Sequence, residues 1–222
     1  MIDEANATLT TSDGMTLEAL VAAPTAPRGG AVACHPHPLY GGDMDNPVVV
    51  RLVEIWGGLG LATLRFNFRG VGRSTGAHGQ GADEQRDVEA AHAHLASLVG
   101  AGHPLVLAGY SFGAAVVAGV AARHPELAGV VLVAPPLARL DPKGFAGLDR
   151  FGDRVLVVAG SADEICPSDG LARLRDVTPR AAFHTIDGAN HFLFGKLYPL
   201  GEAVTAWTRG TLLGEPRDGG GR

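Results

Sequence analysis

The chain has 222 residues, 46% hydrophobic and 18% charged, and 18 basic against 23 acidic side chains set a formal net charge of -5. These figures fit one globular domain and exclude intrinsic disorder; a charged fraction below the usual ~25%, with a mean hydropathy of +0.14, requires long buried apolar segments. Without a block of like charge there is no electrostatic footprint for nucleic acid or an anionic membrane surface, and no apolar run reaches the ~20 residues a bilayer needs.

The first residues, Met1-Ile-Asp-Glu-Ala-Asn6, are acidic where a secretory signal needs a basic region and then an apolar one, so a cytoplasmic location is expected. Two cysteines, Cys34 and Cys166, do not make a disulfide framework. Reduced, buried thiols are the expectation.

In chain order, residues 7–23 alternate around Ser12-Asp13-Gly14 and predict an antiparallel hairpin. Thereafter the apolar runs 30–35, 62–69, 104–110, 129–135, 154–161 and 181–187 supply strands, the first four of them continuous rather than alternating, as in strands buried on both faces. Helical patterns separate them. Asn46 can cap a helix with Pro47 at its first position and Val49, Leu52, Val53 and Trp56 on one face, stopped by Gly57-Gly58. Val88, Ala91, Leu95 and Leu98 form a second stripe within 83–99, and residues 114–123 form an apolar third. Alternating strand and helix predicts an α/β fold with a mostly parallel sheet covered on both faces, its ligands at the carboxyl ends of the strands. The domain is expected to span 1–213, with 214–222 a fraying tail.

Gly109-Tyr110-Ser111-Phe112-Gly113 places a serine between two glycines, after one predicted strand and before one predicted helix. That context marks a nucleophile elbow. A serine hydroxyl needs a base and the base an orienting acid, here expected in the chain order serine, acid, histidine. Asp163 follows the strand within 154–161, which puts its carboxylate at the functional edge, and Glu164 and Asp187 are the rival acids. His191 follows the last strand, in a loop entering the final helix. The other histidines take structural readings, His92 as a hydrogen-bonded core residue and His78, His94, His103, His124 and His184 without identifiable partners.

An oxyanion requires two backbone amides. Phe112 supplies one, and the second must come from 35–42, where Pro36 and Pro38 have no N–H. His37 is favoured over Leu39, Tyr40 and the glycines. A metal set from His35, His37, Asp43 and Asp45 is disfavoured by the two prolines, so neither metal nor cofactor is expected.

These stretches resemble the α/β-hydrolase superfamily, and more narrowly its small, capless dienelactone-hydrolase-like members, from Leu17 to Leu213. The resemblance rests on residues 35–49, on Arg65-Phe-Asn-Phe-Arg-Gly-Val-Gly-Arg-Ser74, on the serine elbow, on Gly160-Ser-Ala-Asp-Glu-Ile165 and on Asn190-His-Phe192. It implies Ser111, Asp163 and His191 as the catalytic triad. Dienelactone hydrolases proper carry cysteine at the elbow, which argues against dienelactone as substrate here. Arg65, Arg69 and Arg73 read as loop ties in preference to an anion clamp.

Cap domains of this superfamily interrupt the chain after the strand ending near Ala134, but only about 20 residues (135–154) lie there, too few for a subdomain. An open pocket walled by Leu39, Tyr40, Tyr110, Phe112, Leu137 and Phe192, without charge, is expected. The expected function is serine hydrolysis of small to medium carboxylic esters through an acyl-enzyme, with activity falling as His191 takes up a proton. The alternatives are a thioesterase or lactone hydrolase with the same triad, or a silent binding protein of the same fold.

Overall fold

The computed structural model describes residues 3–215. The apolar runs become one eight-stranded sheet: β1 (Ala5–Thr10), β2 (Thr16–Ala22), β3 (Gly30–Cys34), β4 (Ala62–Phe66), β5 (Leu105–Tyr110), β6 (Gly129–Val133), β7 (Val155–Gly160) and β8 (Ala182–Ile186). Their spatial order is β1-β2-β4-β3-β5-β6-β7-β8. β2 is antiparallel to both of its neighbours, and every pairing from β4 to β8 is parallel. β3, β4, β6 and β7 are buried at every residue, whereas the edge strands β1 and β8 alternate or open to solvent. That contrast explains why the central strands read as unbroken apolar runs.

Among the described residues five α-helices flank the sheet: α1 (Pro47–Gly58), α2 (Glu84–Val99), α3 (Phe112–Ala121), α4 (Ser168–Val177) and α5 (Leu197–Trp207). α1 and α2 both lie on β3 and β4, yet α1 packs on α5 and α2 on α3, so the two pairs cover opposite faces. The Asn46 side chain caps α1 by accepting from the Val48 N–H at 3.0 Å, with Pro47 at the first position. Val49, Leu52, Val53 and Trp56 are buried, and the Trp56 Nε1–H donates to Thr208 Oγ1 at 3.1 Å. On α2 the stripe differs by one residue: Leu98 is 43% exposed and Val99 is buried in its place. α4 has no counterpart among the expected elements.

After β6 the chain passes through 3-10 turns (Pro142–Arg154) kinked at Gly152, and no inserted subdomain covers the sheet edge. Glu215 accepts from Arg28 Nη2 at 2.8 Å, and residues 216–222 of the expected fraying tail lie outside the described residues. No described helix is long and apolar enough to cross a membrane.

The arginines of β4 and of the loop after it act as ties. Arg65 forks onto Glu4 at 2.8 Å through two donors and reaches Asp45. Arg69 joins the fully buried Asp87 and the hairpin-turn residue Asp13, and Arg73 meets Glu18. Every one of these guanidinium groups is spent on a carboxylate of the chain itself.

Candidate active site

β5 ends at Tyr110, and the chain reverses at once into α3, forcing Ser111 to φ 53°, ψ -113°. A non-glycine residue in the left-handed region stores strain of about 1–3 kcal/mol, which the packing here imposes. A Cβ on Gly109 would lie 2.2 Å from the backbone of Gly113, and one on Gly113 would lie 2.6 Å from the carbonyls of Cys34 and His35. Only glycine permits so close an approach of elbow, helix and β3. The Ser111 N–H donates to the Val133 carbonyl at 2.8 Å, which pins the turn to β6.

Ser111 Oγ–H donates to His191 Nε2 at 3.0 Å. The other ring nitrogen, Nδ1–H, donates to Asp163 at 2.9 Å to Oδ2 and 3.0 Å to Oδ1. Asp163 Oδ1 also accepts the N–H groups of Ile165 and Cys166, both at 2.8 Å. The carboxylate, 4% exposed, is therefore fixed by its own loop, and it fixes the imidazole tautomer that leaves Nε2 free to accept. The rival acids are elsewhere: Glu164 is exposed, and Asp187 is exposed and accepts from Ser161 Oγ at 3.3 Å.

Tyr110 holds the histidine loop from below, its hydroxyl donating to the His191 carbonyl at 2.8 Å. Burial, then the nearby Asp163 charge, raises the phenol pKa, so this donor stays protonated. Tyr110→Phe strands a buried carbonyl, at a cost of about 1–3 kcal/mol, and loosens the imidazole without touching the cavity opening. The expected result is a lower kcat with KM nearly unchanged; equal kcat in both proteins would remove Tyr110 from a positioning role.

The amides of His37 and Phe112 donate to no acceptor among the described residues. Their rings are neighbours, with centroids 4.8 Å apart, and both residues line the same cavity as Ser111. The loop bearing His37 is braced by His35, fully buried, whose Nδ1–H donates to the Pro36 carbonyl at 2.7 Å while Nε2 accepts from the Phe68 N–H at 3.0 Å. Both ring nitrogens are thus used, and Asp45 is engaged by Arg65. His35, His37, Asp43 and Asp45 form no ligand cluster.

Burial lowers the His35 pKa from 6.5 to about 4. The unfolded chain then takes up a proton that the folded chain refuses. The stability contribution is complete above about pH 6.5 and declines as pH falls toward 4, by on the order of 3 kcal/mol in all. Urea unfolding at pH 7 and pH 4.5 is expected to give a flatter pH slope for His35→Gln than for wild type. Identical slopes would contradict the assignment.

Ser111, His191, His37, Phe112, Tyr40, Tyr110 and Phe192 line a cavity of about 1020 Å³, at the upper end for small-molecule sites. The family model for serine aminopeptidases of the S33 type matches residues 46–150. An α/β serine hydrolase homologue from Coxiella burnetii is 34% identical, with a TM-score of 0.81 over 92% of this chain and 97% of its own. A serine hydrolase without lid from Xanthomonas campestris is 30% identical, with a TM-score of 0.83 over 96% of this chain and 97% of its own. An uncharacterised protein of Rickettsia prowazekii is 31% identical over 180 residues, covering 78% of this chain and 76% of that one. The chain belongs to the α/β-hydrolase superfamily.

The α/β-hydrolase fold has no lid here, and two expected wall residues are absent from the cavity lining. Leu39 sits in a 3-10 turn (Pro38–Tyr40) and is 70% exposed, turned to solvent. Leu137 is 2% exposed and packs beneath the surface against Gly170 of α4. The walls are also more polar than expected, since His78, Arg139 and Asp141 contribute.

His78 is the residue that sequence reasoning missed. Its ring lies 4.8 Å from that of His37 and 5.4 Å from that of Phe112, and its Nδ1 is 2.9 Å from the fully buried Glu84. Glu84 also accepts from the Gly79 and Gly81 amides, each at 2.7 Å, and so folds the loop after β4 onto the active-site wall. The one available signal was a glutamate in the first turn of a predicted helix, shortly after a glycine-rich loop. Burial, and then the neighbouring His78, lower the His37 pKa, which favours a neutral imidazole beside the candidate oxyanion position.

Proposed function

We propose that this protein hydrolyses small to medium carboxylic esters through an acyl-enzyme on Ser111. The observation carrying the reading is the His191 ring, bonded at once to Ser111 Oγ and Asp163 at the floor of an open cavity. Ser111 Oγ attacks the ester carbonyl carbon as its proton passes to His191 Nε2. The resulting oxyanion is held by the Phe112 and His37 amides. The carbon–oxygen bond to the leaving group then breaks, and the alcohol departs with the proton from Nε2. Water, deprotonated by the same nitrogen, attacks the acyl-enzyme and releases the acid and free Ser111.

A peptide substrate with a free amino terminus needs a carboxylate to meet its ammonium group. The lining offers Asp141, whose side chain already accepts from the Lys143 N–H at 3.0 Å. That carboxylate is exposed and keeps further acceptor capacity, so an aminoacyl amide belongs among the test substrates. Thioesters and lactones use the same triad and differ only in leaving group. The unpaired, buried Cys34 and Cys166 support a reducing compartment, the cytoplasm.

The test is a panel of matched substrates: 4-nitrophenyl acetate to octanoate, the corresponding thioesters, a γ-lactone and an aminoacyl 4-nitroanilide. The highest kcat/KM is expected on an ester of short or medium chain. A preference for the anilide would move the protein to the peptidases.

A further inference from the structure

A second cluster lies away from Ser111. β5 starts at Leu105, and in the β5–β6 register Gly129 stands opposite Val106, so the residues just ahead of β6 sit at the amino end of the strands. There His124 and Glu126 follow α3, and His92 on α2 comes alongside with its ring 5.0 Å from that of His124. Ligand-capable atoms of these three residues lie within 4.8 Å of one another. We propose that His92, His124 and Glu126 bind a divalent transition-metal ion, typified by Zn²⁺, at the sheet edge opposite the active site.

Three observations carry this. Two imidazole nitrogens and one carboxylate oxygen are the donor set of borderline divalent ions. His92 Nε2 is buried and meets no hydrogen-bond partner, which departs from the satisfied core histidine expected from the sequence and leaves that nitrogen uncommitted. The other two side chains are accessible, Glu126 at 58% and His124 at 26% exposure, and an ion would take the place of the proton that His124 Nδ1 shares with Glu126 Oε1 at 2.7 Å. Metal–ligand bonds of about 2.0–2.1 Å require these two side chains to draw in toward His92 from the present separations of up to 4.8 Å. The nearby cation Arg123 is occupied by Glu89 and Gln85, which limits its repulsion of an incoming ion. A bound ion would brace α2 against the segment joining α3 to β6.

The test is titration of the chelator-stripped full chain with ZnCl₂ by calorimetry and with CoCl₂ by visible absorption. The expected result is one equivalent per chain, weakened by more than about tenfold in His124→Ala and in Glu126→Gln, since even changes outside the ligand set weaken metal sites on that scale. His191→Ala is expected to bind as wild type does. Absence of saturable binding, binding undiminished in both cluster variants, or loss of binding in His191→Ala would each overturn the proposal.

Discussion

Ser111→Ala is expected to lower kcat for the preferred ester by roughly 10³- to 10⁶-fold, leaving a residue of activity from the oxyanion amides and substrate positioning. The magnitude follows from the hydrogen-bonded chain Ser111–His191–Asp163: without Oγ there is no acyl-enzyme, and the imidazole has no nucleophile to activate. His191→Ala is expected to cost nearly as much. Because the residues act as one unit, the double variant should be no worse than Ser111→Ala alone. Steady-state kinetics on the three variants checks this, and additive losses in the double variant would show that the two side chains act independently. Asp163→Asn should retain the geometry and still lose orders of magnitude, because an amide that donates to Nδ1 selects the wrong tautomer.

Asp87→Ala is expected to destabilise the fold by about 3–5 kcal/mol, the cost of leaving one member of a buried ion pair alone. Asp87 is fully buried, and it receives the Arg69 backbone N–H at 3.0 Å, Nε at 3.0 Å and Nη2 at 2.7 Å. Its removal strips the acceptor from the Arg69 backbone N–H and from two donors, Nε and Nη2, of a guanidinium that is itself 5% exposed. Asp13 remains as a partner, at 2.8 Å from Nη1, which keeps the loss toward the lower end. For a chain of this length each kcal/mol shifts the thermal midpoint by about 2–4 °C, so a fall of roughly 10 °C is expected. An unchanged midpoint with a raised KM would mean that Arg69 serves substrate instead of the loops.

The central sheet was legible because strands buried on both faces leave unbroken apolar runs, and the elbow was legible because Gly109 and Gly113 answer to backbone contacts that exclude any side chain. Strand ends were less so. The run 62–69 stops as a strand at Phe66, since Asn67 and Arg69 turn their side chains to Met44, Glu18 and Asp87. α4 leaves no stripe in the sequence because it buries only Gly170 and Leu174. In the cavity, chain position brought Leu39 and Leu137 near the site without fixing the direction of their side chains. The His78–Glu84 contact and the grouping of His92, His124 and Glu126 join separate elements, and no periodicity records them.

The proposed chemistry requires Ser111 to be an activated nucleophile, and a fluorophosphonate probe tests that without knowledge of the substrate. Intact-mass analysis of the wild type beside Ser111→Ala is predicted to show a single adduct on the wild type and none on the variant. An unlabelled, folded wild type, or an adduct that persists in Ser111→Ala, would contradict it.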